Sequence, residues 1–166
     1  MTTTQPVSLR CRFLHRVISE SLRYRPHPQA DIPVIRANVH RFLTDGMPIE
    51  PSHDRAAIDL ICKSCARLRD LGQTPAQVAD LIGKAQQLAR SLPTFPWNER
   101  RLKSLALQDI GSTMHQICWD RAETIGVLKE SLREASLVDG AKWGNSEKTR
   151  VIREIKALIQ KAEKSS

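Results

Sequence analysis

Apolar side chains recur along most of this chain at intervals of three and four residues, the spacing of one face of an α-helix. The regularity is clearest in a helix predicted over Ser146–Lys164, with Ile152 at the margin of its apolar side. That side is formed by Val151, Ile155, Leu158, Ile159 and Ala162. The pattern predicts a chain built from amphipathic helices.

Stop signals separate two predicted helices near the N-terminus. The first runs from about Ser8 to Tyr24, with apolar residues four apart, and ends before two prolines. The second, shorter helix spans about Val34 to Thr44 and is followed by a terminating glycine. A loop with two prolines is predicted over Met47–Pro51, and we expect residues 1–7 to be disordered.

Two further helices have explicit start signals. Ser52 or Asp54 is predicted to cap the third, which ends at Gly72. The fourth begins where Thr74 precedes a proline, a capping hydroxyl before a residue suited to the first helical position. It continues to Pro93, after which Thr94–Asn98 is predicted to be a rigid connector whose two aromatic residues, Phe95 and Trp97, pack across helix ends.

The segment Thr74–Leu92 resembles the beginning of a helix-turn-helix, with Ala79 and Gly83 four residues apart. In that motif the chain turns after the glycine, whereas Lys84–Leu88 consists of good helix formers. We therefore favour one continuous amphipathic helix that tolerates Gly83.

The longest periodic segment runs from about Glu99 to Val138. Gly111 and Gly126 each cost about 1 kcal/mol relative to alanine inside a helix, so one kinked helix and two helices are both compatible with it. A turn rich in glycine, centred on Gly140 and Gly144, separates this segment from the last helix.

Composition supports one all-α domain, a helical bundle of five to seven helices over residues 1–166. Apolar residues make up 40% and charged residues 27%, as in globular proteins, and only 4% are aromatic. No apolar run approaches the roughly twenty residues that cross a bilayer. Four cysteines without scaffold spacing favour the cytoplasm, although the acid-poor, Arg-containing N-terminus is also typical of a leader to an organelle or host cell.

The net charge of +8 is concentrated at the two ends of the chain. Residues 1–48 and 141–166 each carry seven basic and three acidic residues, a net +4. In the first predicted helix Arg12, Arg16 and Arg23 share one stripe. Opposite the apolar side of the last helix lie Arg150, Arg153, Lys156, Lys161 and Lys164.

These faces predict a nucleic-acid-binding accessory or regulatory protein whose bases meet phosphates. Tyr24 and Trp143 are the only aromatic residues beside bases that are candidates for stacking, and each is equally suited to covering a helix end. The main alternative is an interaction module that meets an acidic protein surface; anionic membrane binding through the first helix is a third.

Catalytic and metal sites have weak signals. No phosphate loop or acid-base constellation is evident, so neither an enzyme nor a cofactor is predicted. Cys62, Cys65, His115 and Cys118 have the ligand types of a zinc site, but the two pairs are far apart in sequence. Cys65 also falls on an apolar stripe, where a small buried residue is expected.

Overall fold

The computed structural model describes residues 31–44 and 51–165, and all of its regular structure there is helical. Seven α-helices and one 3₁₀ helix follow one another in these ranges. They are α1 Asp31–Thr44, α2 Pro51–Asp70, the 3₁₀ helix Pro75–Val78, α3 Ala79–Ser91, α4 Trp97–Gln116, α5 Arg121–Ser136, the short α6 Gly140–Trp143 and α7 Asn145–Lys164. The all-α prediction is thereby confirmed, and no helix in the described ranges is long and apolar enough to span a membrane.

The structure does not test several predictions about the N-terminal region. The predicted helix Ser8–Tyr24, the expected disorder of residues 1–7 and the loop over residues 47–50 lie outside the described residues. Within them, α1 spans Asp31–Thr44 and so includes three residues before Val34.

The start of α2 corrects one prediction. The helix begins at Pro51, so Ser52 and Asp54 lie in its first turn and do not precede it as caps. Proline suits this position because its φ is already helical and the amide hydrogen it lacks would have no partner there. Gly72 does follow the helix, with φ of +89°, and its N–H donates to the carbonyl of Arg69 at 2.8 Å.

Thr74 forms the predicted cap. Its side chain accepts from the N–H of Gln77, and the Gln77 side chain accepts in turn from the N–H of Thr74 at 2.8 Å, which completes a capping box. The first turn is 3₁₀, and α3 then continues through Gly83 without a break. The continuous helix is therefore confirmed, and the turn of a helix-turn-helix is not formed.

The segment after Pro96 forms two helices. They separate at residues 117–120, and both Gly111 and Gly126 lie inside helices. The second helix has a local start signal, because the side chain of Asp120 accepts from the N–H of Glu123 at 2.8 Å.

The aromatic residues divide differently from the prediction. Phe95 is 87% exposed, so its expected packing across a helix end is wrong, whereas the partly buried Trp97 packs against an apolar cluster. Trp143 is buried in the same cluster, which places it in a core and not on a stacking surface.

Two clusters of buried apolar residues form the core. The first lies among α1, α2, α3 and α4, with Ile61, Ile82 and Ile110 almost fully buried. The second joins α5, α6 and α7 through Leu128, Trp143 and Ile155, with residues of α4 packed against it. Helix α4 therefore contributes to both clusters.

The most extensive helix contact in this core joins α4 to α5. A Cβ atom at position 111 would lie 2.5 Å from Leu128 Cδ2, so only glycine permits this approach. Two turns before Gly111 on α4, the Ser104 hydroxyl donates to the Ser131 carbonyl of α5 at 3.0 Å. The Ser131 hydroxyl donates in return to the Ser104 carbonyl at 2.7 Å. Both hydroxyls are buried, and the reciprocal bonds satisfy them.

Gly111→Ala is expected to destabilise the chain relative to Gly126→Ala. Both substitutions gain about 1 kcal/mol of helix propensity, but a methyl group at 111 overpacks the buried Leu128, at a typical cost of about 1–3 kcal/mol. Position 126 has nothing within 4 Å of an added Cβ. Denaturant unfolding of the two variants measures the difference, and equal stability would contradict the close crossing.

Candidate functional site

Helix α7 has the predicted two-sided character. Val151, Ile155, Ile159 and Ala162 are buried, and the helix packs chiefly on α5, with smaller contacts to α6 and α4. Gly144, with φ of +92°, turns the chain sharply from α6 into α7. The apolar side is therefore held against the bundle, and the opposite side is presented outward.

All five predicted bases of this helix are exposed: Arg150, Arg153, Lys156, Lys161 and Lys164. Arg150 is partly neutralised by Glu154, whose Oε1 lies 3.0 Å from its Nη1. The other four form no ion pair with a carboxylate anywhere in residues 31–44 and 51–165. We call Arg153, Lys156, Lys161 and Lys164 the cationic strip.

Arginines on other helices form ion pairs that connect one helix to another. Arg55 on α2 pairs with Glu99 on α4 at 2.9 Å, and Arg90 on α3 pairs with Glu130 on α5 at 2.9 Å. Lys148 donates to carbonyls at the C-terminal end of α5, where a cation also offsets the helix dipole. Bases that stabilise the bundle are thus distinct from the strip.

The second predicted basic stripe lies outside the described residues. Arg12, Arg16 and Arg23 all precede residue 31, so their proposed contribution to the surface stays a prediction.

A pocket adjoins the C-terminal end of the strip, with a volume of about 670 Å³. It lies where the last turns of α2, α4 and α7 meet the start of α5. Its walls are formed by Arg69, His115, Gln116, Cys118, Trp119, Arg121, Thr124, Ala162 and Ser165. Of these, the sequence pattern singles out only His115 and Cys118, as candidate zinc ligands.

The connector at this pocket holds Cys118 in the left-handed region, with φ of +58°. The N–H of Cys118 donates to the His115 carbonyl at 3.2 Å, and that of Trp119 donates to the Met114 carbonyl at 2.9 Å. This is the Schellman arrangement, in which glycine is the usual residue at the left-handed position. The Cys118 sulfur lies 3.7 Å from Arg69 Nη2.

The four candidate zinc ligands are not brought together. Cys62 and Cys65 are buried in α2, whereas His115 and Cys118 line the pocket. Across the described ranges, no three His, Cys, Asp or Glu residues form a group that could hold a metal. Burial instead raises the pKa of both Cys62 and Cys65 to about 12, which makes them neutral core thiols.

A second groove, between α2 and α4, has the opposite character. Asp59 and Asp109 both line it, and partial burial, followed by the charge of Asp59, raises the pKa of Asp109 to about 6. Phosphates would be repelled there. This groove is therefore unsuited to phosphate, unlike the pocket at the end of α7.

No protein-family model, curated protein or solved structure matches this chain. The exposed cations of the strip, beside a pocket lined by Arg69, His115 and Arg121, can attract and bind a polyanion.

Cys118→Gly is expected to stabilise the chain by about 1 kcal/mol, because glycine adopts the left-handed conformation without a Cβ penalty. Cys118→Ala is the matched control: it removes the thiol but retains the penalty, and so should not stabilise. Denaturant unfolding distinguishes them. A destabilised glycine variant would show that the connector is not held as described.

Thiol labelling should separate the cysteines by burial. Iodoacetamide at pH 8 is expected to modify Cys118 in the folded chain and to spare Cys62 and Cys65, because their raised pKa values leave almost no thiolate. Peptide mass spectrometry reports each site separately, and adding denaturant should expose all three. Labelling of Cys62 at the rate of Cys118 without denaturant would contradict the assignment.

Proposed function

We propose that the chain is a nucleic-acid-binding accessory protein of the cytoplasm, without catalytic activity of its own, that meets phosphates through the cationic strip. The observation that carries the proposal is the lack of carboxylate partners for four exposed bases on one helix face. Arg55 and Arg90, by contrast, are paired with carboxylates across helices. Lys161 and Lys164 also offset the dipole of α7 in its last turn, so Arg153 and Lys156 support the proposal most directly.

The dimensions of the strip suit a nucleic-acid backbone. Arg153 and Lys164 are eleven positions apart, so the strip is about 16.5 Å long at 1.5 Å per residue. Duplex DNA carries one negative charge per roughly 1.7 Å of axis, so several phosphates can face a strip of this length. Contacts of this kind are independent of sequence and weaken as salt is added.

An acidic protein surface is the second candidate partner. The observation that favours it is a pair of exposed apolar side chains, Phe95 and Leu137, which are 87% and 56% exposed and line one groove with Lys142. Apolar groups beside a cation are typical of protein contacts. Co-purification that survives nuclease treatment, together with absent binding to pure DNA and RNA, would favour this candidate over the first.

Reversing two charges of the strip is expected to weaken nucleic-acid binding by about tenfold or more at low salt, since phosphate contacts supply the affinity. The variant is Arg153→Glu/Lys156→Glu. Two lost phosphate contacts should also reduce the slope of log affinity against log salt by about 2. Fluorescence anisotropy with labelled duplex DNA and single-stranded RNA across a salt series measures both quantities.

Arg41→Glu/Lys84→Glu is the matched control, because it removes the same net charge. Neither α1 nor α3 contacts α7, and neither base has an ion pair within the described residues. This variant should retain most of the affinity. Binding that is absent, insensitive to salt, or lost equally in both variants would overturn the proposal.

A further inference from the structure

We infer that the pocket lined by Arg69, Trp119 and Arg121 binds a nucleoside monophosphate unit, either a free nucleotide or the phosphorylated end of a nucleic-acid strand. The free-nucleotide case is independent of the proposed function. The strand-end case rests on it and deepens it, because it assigns the end of the strand to a site distinct from the cationic strip.

The pocket is lined by basic side chains. Two guanidinium groups and one imidazole line it, and none of its lining residues is a carboxylate. Arg69 has only the Cys118 sulfur as a side-chain partner among the described residues, and Arg121 donates to the Ser165 carbonyl at 3.3 Å. Both side chains retain N–H donors in the planar arrangement that matches two phosphate oxygens.

Helix dipoles account for only part of this charge. Arg69 and His115 lie in the last turns of α2 and α4, where a cation is favourable in any soluble protein. Arg121 is the first residue of α5, the end at which an acidic residue is favoured. Its placement there is better explained by what it faces across the pocket, namely the end of α7 and an incoming anion.

An aromatic wall gives the pocket its second recognition element. Trp119 is partly buried against the first core cluster, and its indole N–H donates to Glu123 Oε2 at 2.6 Å. These contacts fix the indole beside the arginines. A fixed indole is suited to stacking on a nucleobase, while the amide of Gln116 and the hydroxyl of Thr124 supply polar groups for the base or the sugar.

The volume and location agree with this ligand class. At about 670 Å³ the pocket falls within the range of small-molecule sites. Ala162 and Ser165 line it, and each directly follows a lysine of the cationic strip, Lys161 and Lys164. The pocket therefore lies at the C-terminal end of α7, close in the chain to the last two bases of the strip.

Isothermal titration calorimetry of the full chain tests the assignment with AMP, UMP and ribose 5-phosphate. Both nucleotides should bind more tightly than ribose 5-phosphate, which lacks the base. Arg69→Gln is expected to weaken nucleotide binding about tenfold through loss of a charge-assisted contact. Arg67→Gln, on the same helix but outside the pocket, is the control and should leave binding unchanged.

Trp119 is tested by two substitutions, because the residue also packs against the core. Trp119→Leu should reduce the preference for nucleotides over ribose 5-phosphate, whereas Trp119→Phe, which retains an aromatic face, should preserve most of it. Absent nucleotide binding by the wild-type chain, or equal binding of ribose 5-phosphate, would overturn the assignment.

Oligonucleotides that carry a 5′-phosphate, a 3′-phosphate or neither distinguish the two sources of the ligand. Competition with AMP by only the phosphorylated strands identifies a strand end, and competition by none of them identifies a free nucleotide. The cationic strip is assessed separately, since its salt-dependent binding does not require a terminal phosphate. If the pocket assignment is wrong, the chain should not bind mononucleotides but should still bind nucleic acid in a salt-dependent way. If the proposed function is wrong, the chain should bind mononucleotides but show no salt-dependent binding of nucleic acid.

Discussion

The close contact between α4 and α5 is the constraint on which the rest of the bundle depends. Gly111 allows the buried Leu128 to approach the backbone of α4, and the Ser104 and Ser131 hydroxyls exchange hydrogen bonds across the same interface. Because α4 packs in the first cluster and borders the second, this contact joins the two parts of the core. A larger side chain at 111 would push the two parts away from each other.

The orientation of α7 follows from that contact. Once α5 is seated on α4, Leu128 and Ala135 remain in a cluster that receives the apolar side of α7. Because Val151, Ile155 and Ile159 are buried, the cationic strip on the opposite side of α7 faces outward. The same packing brings the C-terminal end of α7 to Arg121, whose side chain donates to the Ser165 carbonyl at 3.3 Å.

Features set by local spacing were predictable from the sequence, and features set by helix packing were not. The apolar and basic sides of α7 can be predicted from residues within nineteen positions of one another. The Thr74 cap depends on only four consecutive residues. Arg69 and Arg121 are far apart in the chain and meet only because the ends of α2 and α5 converge, which no periodicity reveals. Asp120 followed by Glu123 is a sequence signal for the start of α5. The end of α4 has no such signal, because the left-handed position is occupied by Cys118 and not by the usual glycine.

The central claim is that phosphates meet the cationic strip of α7, and amide chemical-shift mapping tests it most directly. A titration of isotopically labelled chain with a short DNA duplex and with single-stranded RNA reports every backbone site that a ligand affects. The largest shifts are expected within residues 150–165 and should fade as salt is added. Shifts centred on α1, α2 or α3, or no shifts at low salt, would contradict it.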